Sequence, residues 1–274
     1  MRNSRCNRIF ASMADKARPK KQFGQHFLTD IRIAERISDS LTGIGKKYDQ
    51  LLEIGPGEGV MTQFLYENYL AALAIVEIDR DLIPQLQQKF PLLRDRIIES
   101  DFLKFPLAEF FSSPVGLIGN FPYNISSQIL FKAVSHRDLV AELVGMFQRE
   151  VARRIVSPPG NKDYGLLSVW VQTFYHCEYL FTVNEGAFRP PPQVKSGVIR
   201  LVRNDFSLPE SEAQLLLTVI KQAFSTRRKT LRNALSVFDL RSVDEKTLTL
   251  RAEQLSHHDF LSLARQIKDS RASS

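Results

Sequence analysis

The chain has 274 residues, 43% of them apolar and 10% aromatic, which is enough to build the core of one large or two modest globular domains. Its net charge is +7, with the cations concentrated near both ends, and this balance favours a polyanionic partner. The two cysteines, Cys6 and Cys177, have no metal-ligand spacing, which argues against a disulfide framework and a zinc site. No apolar run approaches the roughly 20 residues that cross a bilayer. We therefore predict a cytoplasmic protein with no membrane segment and no metal ion.

The first 30 residues divide into a basic tail and an aromatic segment. Residues 1–18 are basic and poor in acids, which predicts a disordered tail, with a transit peptide as the alternative. The next segment, KKQFGQHFL, combines Lys20 and Lys21 with two phenylalanines around Gly24, directly before a helix predicted at 31–41. Two interpretations stay open: the segment docks its aromatic rings on the core, or it covers a ligand while its lysines reach phosphate.

A glycine-rich turn follows the first strong strand, predicted at 50–54, and leads into a helical pattern that extends to about residue 68. Glycines let the backbone approach a ligand closely, and the helix N-terminus offers free N–H groups. The spacing, Gly55, Gly57 and Gly59 after an acid, is not the G-x-G-x-x-G of dinucleotide binders. The pattern therefore favours a nucleoside without a phosphate, although such a turn also occurs without any ligand.

Carboxylates follow the next two predicted strands. The strand at 72–78 ends in Glu77-Ile78-Asp79, and the end of the second strand of a βαβ unit is where a ribose diol is usually held. We expect Glu77 to bind that diol and Asp79 to cap a helix at 80–90. The strand at 96–99 leads to Asp101 and Phe102. The Asp101 carboxylate can accept a hydrogen bond from an adenine amine, and Phe102 can pack on the adenine ring.

The fourth strand, predicted at 115–119, runs directly into Asn120-Phe121-Pro122-Tyr123. An amine on a conjugated ring is a poor nucleophile, and two acceptors for its N–H groups favour the reactive pyramidal nitrogen. The Asn120 side-chain oxygen is one acceptor, and the carbonyl of Phe121, held extended before Pro122, is the second. Tyr123 is placed to stack on the ring. The alternative is an ordinary Asn-x-Pro turn, but four strand ends that meet at one cleft favour a binding site.

The remainder of the first 204 residues alternates between helix and strand. We predict helices at 126–135 and 148–156 and strands at 142–147, 167–180 and 197–202. The stiff, proline-rich segment 188–195 offers Phe188 either as a second plate for a base or as a loop anchor.

After residue 204 the pattern becomes helical, with a helix predicted to end near residue 224 and a helical hairpin at 251–267. Between them lies a cluster of four cations that indicates either a phosphate-contacting patch or a solvated face: Arg227, Arg228, Lys229 and Arg232.

Seven blocks of the chain together resemble the ribosomal RNA adenine dimethyltransferases, in chain order over about residues 19 to 268. These blocks are KKQFGQHFL, LEIGPGEG, VEID, SDFL, GNFPYNIS, FRPPPQVKSGVIRL and AFSTRRKTLRNAL. The resemblance implies an α/β fold: a Rossmann-like, seven-stranded class I S-adenosylmethionine-dependent methyltransferase domain at 19–204. It also implies a small all-helical RNA-binding domain at 205–274.

The resemblance also implies an activity, which is S-adenosylmethionine-dependent dimethylation of N6 of two adjacent adenosines. The expected target is the 3′-terminal hairpin loop of 16S rRNA in a pre-30S particle, with a role for a monomeric enzyme in 30S biogenesis. Three alternatives stay open: a protein glutamine methyltransferase, a large-subunit rRNA adenine dimethylase, and a protein that acts chiefly as a ribosome-assembly factor.

Site residues follow from the same resemblance. The implied cofactor contacts are His26, Leu28, Gly55, Gly57, Glu77, Ile78, Asp101, Phe102 and Asn120. The implied amine-binding and stacking group is Asn120, Phe121, Pro122 and Tyr123. The implied RNA contacts are Lys20, Lys21, Phe188, Arg227, Arg228, Lys229 and Arg232. Two positions depart from the usual family pattern, His26 in place of Asn and Phe121 in place of Leu or Ile, and we expect Phe121 to tighten the pocket.

Overall fold

The structure is a computed structural model that describes residues 19–20, 24–226 and 228–272, except for the side chains of residues 271–272. Nine strands form two sheets in this part of the chain. They are β1 (Phe27–Leu28), β2 (Gln50–Ile54), β3 (Leu73–Glu77), β4 (Ile97–Glu99), β5 (Val115–Asn120), β6 (Val140–Gln148), β7 (Tyr175–Val183), β8 (Phe188–Arg189) and β9 (Ser196–Arg203).

The larger sheet has seven strands in the order β4-β3-β2-β5-β6-β9-β7. Strands β4, β3, β2, β5 and β6 are parallel, and β9 pairs antiparallel with both β6 and β7. Strand β2 lies between β3 and β5, so the strand order reverses there and opens a crevice at the carboxyl ends of these strands. The predicted seven-stranded α/β fold is confirmed.

Helices cover both faces of this sheet because its central strands are buried on both sides. Leu51 and Leu73 pack in the layer that contains the first three helices, whereas Leu52 and Ala74 pack in the opposite layer. The helices in chain order are α1 (Ile31–Ser38), α2 (Thr62–Tyr69), α3 (Ile83–Lys89), α4 (Leu107–Phe110), α5 (Ser126–Ser135), α6 (Arg149–Val156), α7 (Leu166–Phe174), α8 (Glu210–Ala223), α9 (Leu231–Ala234), α10 (Glu245–Thr249) and α11 (His257–Ala272).

The long strand predicted at 167–180 is wrong in its first half. Residues Leu166–Phe174 form helix α7, and only Tyr175–Val183 form a strand. The segment is buried on nearly every side, and even its polar residues Ser168 and Thr173 are buried, so it has no exposed polar face to show a helical period. A short, mostly apolar segment is compatible with either structure, and its neighbours decide which one forms.

The C-terminal helices pack on α7 instead of standing apart. Leu216 of α8 and Phe260 of α11 belong to the same buried apolar cluster as Trp170 of α7 and Leu117 of β5. Both helices contact α7 and each other. The helical character predicted after residue 204 is present, and the division there into two separate domains stays a prediction.

The N-terminal segment contributes a short strand outside the main sheet. Strand β1 pairs antiparallel with β8, with Phe27 opposite Arg189 and Leu28 opposite Phe188. The Phe27 side chain is buried, which supports the interpretation that this segment docks its aromatic rings on the core. This small sheet places the chain from Gly24 onward across the crevice of the large one.

Candidate active site

A cavity of about 340 Å³ opens at the carboxyl ends of the central strands. This volume is within the range of small-molecule sites. Most of the site residues predicted from the sequence line it, namely His26, Leu28, Gly55, Gly57, Glu77, Ile78, Asp101, Asn120, Phe121, Pro122 and Tyr123. The predicted convergence of four strand ends is therefore present.

The glycine turn forms one wall of the cavity. Gly55 and Gly57 have φ values of +66° and +59°, which side chains other than glycine rarely adopt. A Cβ added at Gly57 would lie 2.8 Å from Cδ1 of Phe27, so the turn fits directly under the N-terminal segment. At Gly55 an added Cβ would meet nothing within 4 Å, so there the bare backbone faces open space.

Glu77 ends β3 beside this turn. Its Oε1 accepts a hydrogen bond from the backbone N–H of Asp79 at 2.8 Å, and its Oε2 accepts one from Gly57 N–H at 3.3 Å. Burial raises the pKa of Glu77, and these backbone donors offset part of that effect. The carboxylate is therefore oriented by the backbone and retains lone pairs for hydroxyl groups in the cavity.

Asp79 does not cap the following helix as predicted. Helix α3 begins at Ile83, and Asp79 accepts from the backbone N–H of Asp81, at 3.2 Å, in the turn before the helix. The Asp79 carboxylate also accepts hydrogen bonds from Lys20 Nζ at 2.5 Å and Gln25 Nε2 at 3.0 Å. Burial raises the pKa of Asp79, but these hydrogen bonds outweigh burial and hold the pKa below its ordinary value. Asp79 therefore fastens the N-terminal segment over the cavity.

The lysines predicted to reach phosphate have different outcomes. Lys20 forms ion pairs with Asp79 at 2.5 Å and with Asp81 at 2.7 Å, so its charge is directed to the protein. Lys21 lies outside the described residues.

Asp101 follows β4 and lies at the cavity, whereas Phe102 does not. The Asp101 Oδ1 accepts a hydrogen bond from Leu103 N–H at 2.9 Å, which leaves Oδ2 for a donor in the cavity. The Phe102 side chain is buried in the core and is not among the lining residues, so the predicted packing on an adenine ring is wrong. The turn instead directs Leu103 to the cavity, because the chain reverses immediately after Asp101.

Asn120, at the end of β5, has a fixed orientation. Its Nδ2 donates a hydrogen bond to the backbone carbonyl of His26 at 2.9 Å. Because the amide donor is used by the N-terminal segment, the Oδ1 acceptor is left for the cavity. An unused side-chain acceptor at the cavity is what the amine-binding hypothesis requires of this residue.

The ring of Phe121, which stands where Leu or Ile is usual in the family, is accommodated inside the protein. Only 1% of Phe121 is exposed, and its ring packs edge-on against Phe147 with 5.1 Å between centroids. A Cβ added at Gly145 would lie 2.2 Å from Phe121 Cε2, and one at Gly119 would lie 2.6 Å from Phe121 Cε1. The larger ring therefore occupies space that two glycines leave, and most of it is directed into the core.

Tyr123 and His26 form an aromatic edge of the cavity. Their ring centroids are 5.6 Å apart with a 30° interplanar angle. The Tyr123 hydroxyl hydrogen-bonds Ser196 Oγ at 2.6 Å, and His26 Nδ1 lies 2.8 Å from the carbonyl oxygen of Pro190. A carbonyl only accepts, so this nitrogen carries the proton. Both rings are held in place by polar contacts at their outer edges.

Glu53 is a cavity residue to which the sequence analysis assigned no role. Its side chain is fully buried beneath the glycine turn, and neither carboxyl oxygen has a hydrogen-bond partner. Burial raises the pKa of Glu53 to about 8, and the charge of Glu77 adds to this while Thr62 and Lys89 oppose it. The acid two residues before the first glycine was the available signal, but many strands carry an acid at such a position.

The charge of the cavity distinguishes among nucleoside ligands. Of the described residues that line it, four are acids, Glu53, Glu58, Glu77 and Asp101, and none is Lys or Arg. A pyrophosphate would meet negative charge here, whereas a nucleoside that bears a net positive charge is attracted. S-adenosylmethionine carries a sulfonium, an ammonium and one carboxylate, so its net charge is positive and the acidic lining favours it.

The predicted RNA contacts outside the cavity are only partly at the surface. Arg228 and Lys229 are exposed, and Arg232 is exposed but forms an ion pair with Glu245. Arg227 lies outside the described residues. Phe188 is 4% exposed and packs in the core beside β1, so its predicted role as a plate for a base is wrong and it is a loop anchor.

None of the described helices is both long and apolar enough to cross a membrane. The described residues also contain no group of three or more His, Cys, Asp or Glu side chains placed to hold a metal ion.

The sheet order, the glycine turn and the acidic cavity define a class I S-adenosylmethionine-dependent methyltransferase. Solved structures agree: a dimethyladenosine transferase from Plasmodium falciparum matches with a TM-score of 0.75 and 25% identity, covering 90% of this chain and 98% of that one. The 23S rRNA methyltransferase ErmE matches with a TM-score of 0.65 and 22% identity, covering 88% and 99%.

Sequence comparison identifies the family. The family model for ribosomal RNA adenine dimethylase matches residues 16–269, and the chain belongs to this family. Ribosomal RNA small subunit methyltransferase A of Porphyromonas gingivalis is 52% identical over 258 residues, covering 90% of this chain and 97% of the relative. The protein of the same name from Cytophaga hutchinsonii is 48% identical over 255 residues, covering 92% and 98%.

Proposed function

We propose that this enzyme uses S-adenosylmethionine to dimethylate N6 of two adjacent adenosines in the 3′-terminal hairpin loop of small-subunit rRNA. The observation that carries the proposal is the arrangement of Asn120, which lines the cavity and whose amide donor is bonded to His26, so that its oxygen is left as an acceptor. The names of the relatives at 48% and 52% identity favour the small-subunit substrate over the large-subunit alternative.

The cofactor residues fall into separate roles. Glu77 at the end of β3 holds the ribose diol, and Asp101 Oδ2 accepts from the adenine amine. The open backbone at Gly55 admits the middle of the ligand. When bound, S-adenosylmethionine supplies an electrophilic methyl group on a sulfonium. The chain itself supplies the position of both reactants, and this proximity contributes much of the rate enhancement.

The acceptor amine is activated by its surroundings and not by a strong base. Asn120 Oδ1 and the carbonyl of Phe121 accept its two N–H groups and stabilise the positive charge that develops on nitrogen as it is methylated. Tyr123, held by Ser196, stacks on the base after it has turned out of the RNA. A hairpin loop makes this turning-out easier than a duplex. The once-methylated amine retains one N–H, so it re-enters with one bond fewer.

The test is the substitution Asn120→Ala. Removing one preorganised acceptor is expected to reduce methyl transfer on the order of 100- to 1000-fold. Affinity for S-adenosylhomocysteine, measured by calorimetry, should fall far less than the rate of methyl transfer, because Asn120 acts chiefly on the acceptor and its bond to His26 is one of several contacts of the N-terminal segment. Asn68→Ala on the exposed surface of α2 is the matched control. Full turnover by the Asn120 variant would refute the mechanism.

The target is tested separately by primer extension across the 3′ end of small-subunit rRNA, with and without the protein. Two adjacent stops that depend on the protein are expected. We further propose a role in 30S biogenesis, and the Asn120→Ala variant tests whether subunit maturation depends on binding or on methylation. Methylation at a large-subunit adenosine only would overturn the proposed substrate.

A further inference from the structure

The turn at residues 101–105 presents Asp101 to the cavity and is held by hydrogen bonds within itself. The backbone N–H groups of Lys104 and Phe105 donate to the Asp101 carbonyl at 2.9 Å and 3.0 Å, and Leu103 N–H donates to Asp101 Oδ1. These bonds orient the Asp101 side chain relative to its own turn. The position of the turn relative to the rest of the cavity also depends on contacts from another element.

Lys132 provides that support from helix α5. Its Nζ donates to the backbone carbonyls of Phe102 at 2.8 Å, Leu103 at 3.0 Å and Phe105 at 2.5 Å. These three bonds use all three hydrogens of the ammonium group. The same ammonium lies 5.1 Å from the centroid of the Phe102 ring, within the range of a cation–π contact.

The charges of Lys132 and Asp101 also interact. Burial lowers the pKa of Lys132, and the nearby Asp101 carboxylate raises it. Burial has the larger effect, so the pKa of Lys132 lies below its ordinary value. Lys132 thus holds the turn from outside the cavity through its three hydrogen bonds, and its positive charge lies near the carboxylate that faces into the cavity.

We propose that Lys132 is a positioning residue for the methyl donor, which acts through Asp101 to make the site selective for a purine that carries an exocyclic amine. The inference rests on the proposed function only in taking S-adenosylmethionine as the ligand. Helix α5 begins at Ser126, three residues after Tyr123. Lys132 therefore also connects the acceptor-binding segment to the turn that binds the donor.

The test compares two probes, S-adenosylhomocysteine and its deaminated analogue S-inosylhomocysteine, which has a carbonyl oxygen where adenine has the amine. For Lys132→Met, calorimetry should show roughly tenfold weaker binding of S-adenosylhomocysteine, the scale typical of lost outer contacts to a ligand-binding group. Binding of the inosine analogue should change far less. Methyl transfer should show a higher KM for S-adenosylmethionine and a largely retained kcat.

Lys104→Met is the matched control, because Lys104 is an exposed lysine in the same turn. It should leave the affinities for both probes unchanged. Lys132→Arg keeps the charge and several donors and should restore most of the selectivity. If Lys132→Met does not fold, Lys132→Gln, which retains donors but not the charge, should show the same selective loss to a smaller degree.

Two results would overturn the inference. Equal loss of affinity for both probes in the Lys132 variants would show that Lys132 only stabilises the fold. Unchanged affinity for both probes would show that Asp101 needs no such support. Asp101→Ala separates this inference from the proposed function: if that variant also binds both probes normally, the cofactor assignment of Asp101 fails as well.

Discussion

At the scale of single residues, the site is defined by side chains in which one polar atom is bonded within the protein and another is left as an acceptor. Asn120 uses its donor on His26, and Asp101 uses one oxygen on Leu103. Each therefore offers a remaining acceptor in a direction that the fold has set before any ligand binds. Such preorganisation avoids reorganisation cost at the moment of reaction.

Glu53 provides a test of burial through the pH dependence of stability. Below its ordinary pKa of 4.5 the carboxyl is protonated in both the folded and the unfolded chain, so it carries no ionisation penalty. Between that value and its raised pKa of about 8, only the unfolded chain is ionised, so stability falls as pH rises. The limiting slope is about 1.4 kcal/mol per pH unit.

Glu53→Gln removes this slope. In urea unfolding of the ligand-free protein, the stability of the variant relative to wild type should increase from pH 5 to pH 8. Glu67→Gln, at an exposed position of α2, controls for the loss of one carboxylate. A relative stability that is the same at both pH values would show that Glu53 is ionised in the folded protein.

Two substitutions at Tyr123 distinguish the contribution of its ring from that of its hydroxyl. We expect Tyr123→Phe to retain most activity because the ring still stacks, although it loses the bond to Ser196. Tyr123→Ala should weaken use of the RNA substrate by roughly 10- to 100-fold, as one lost stacking contact predicts. Steady-state KM and kcat for a hairpin RNA measure both variants. Equal losses in the two would assign the role to the hydroxyl instead.

At the scale of elements, the sequence predicted best where a local pattern determines structure. The glycine turn, Glu77 at the end of β3 and the Asn-x-Pro segment all lie at the cavity as predicted, because each depends on a few adjacent residues. Helix α7 was missed because it is mostly apolar and buried on nearly all sides. Phe102 and Phe188 were misassigned because the face a side chain takes depends on partners far along the chain.

The N-terminal segment is an element whose attachment can be tested. Asp79→Ala removes the acceptor shared by Lys20 and Gln25, so the segment should be cleaved faster in limited proteolysis. S-adenosylhomocysteine should also bind more weakly. Asp81→Ala is the control, because Asp81 is 76% exposed and its ion pair with Lys20 contributes little. Unchanged cleavage of the Asp79 variant would show that other contacts suffice.

At the scale of the whole molecule, charge is segregated between two surfaces. The cavity lining carries acids, whereas Arg228 and Lys229 are exposed on the C-terminal helical part. A cationic donor and a polyanionic acceptor are thus attracted to different places on one protein. The sequence predicted the basic ends and a polyanionic partner, but only the fold shows that the acids converge on the cavity.

The basic cluster predicts a change in the salt dependence of RNA binding. Replacing both Arg228 and Lys229 with Ala should weaken binding of a hairpin RNA and reduce the slope of log K against log salt by about 0.7 to 0.9 per lost phosphate contact. Lys46→Ala with Lys47→Ala, exposed ahead of β2, removes the same charge elsewhere. An equal change in slope for both pairs would show that only net charge matters.

The pairing of β1 with β8 also bears on synthesis of the chain on the ribosome. The N-terminal segment that covers the cavity, including β1, leaves the ribosome first. Its partner strand β8 follows about 160 residues later. Arg189 of β8 also forms an ion pair with Glu58 at 2.6 Å. Proteins emerge from their N-terminal end. A nascent chain that ends before Arg189 has every strand end of the donor site and the contacts of the N-terminal segment with Asp79 and Asn120, but it lacks the pairing with β8. The cover over the donor site is therefore completed late in translation.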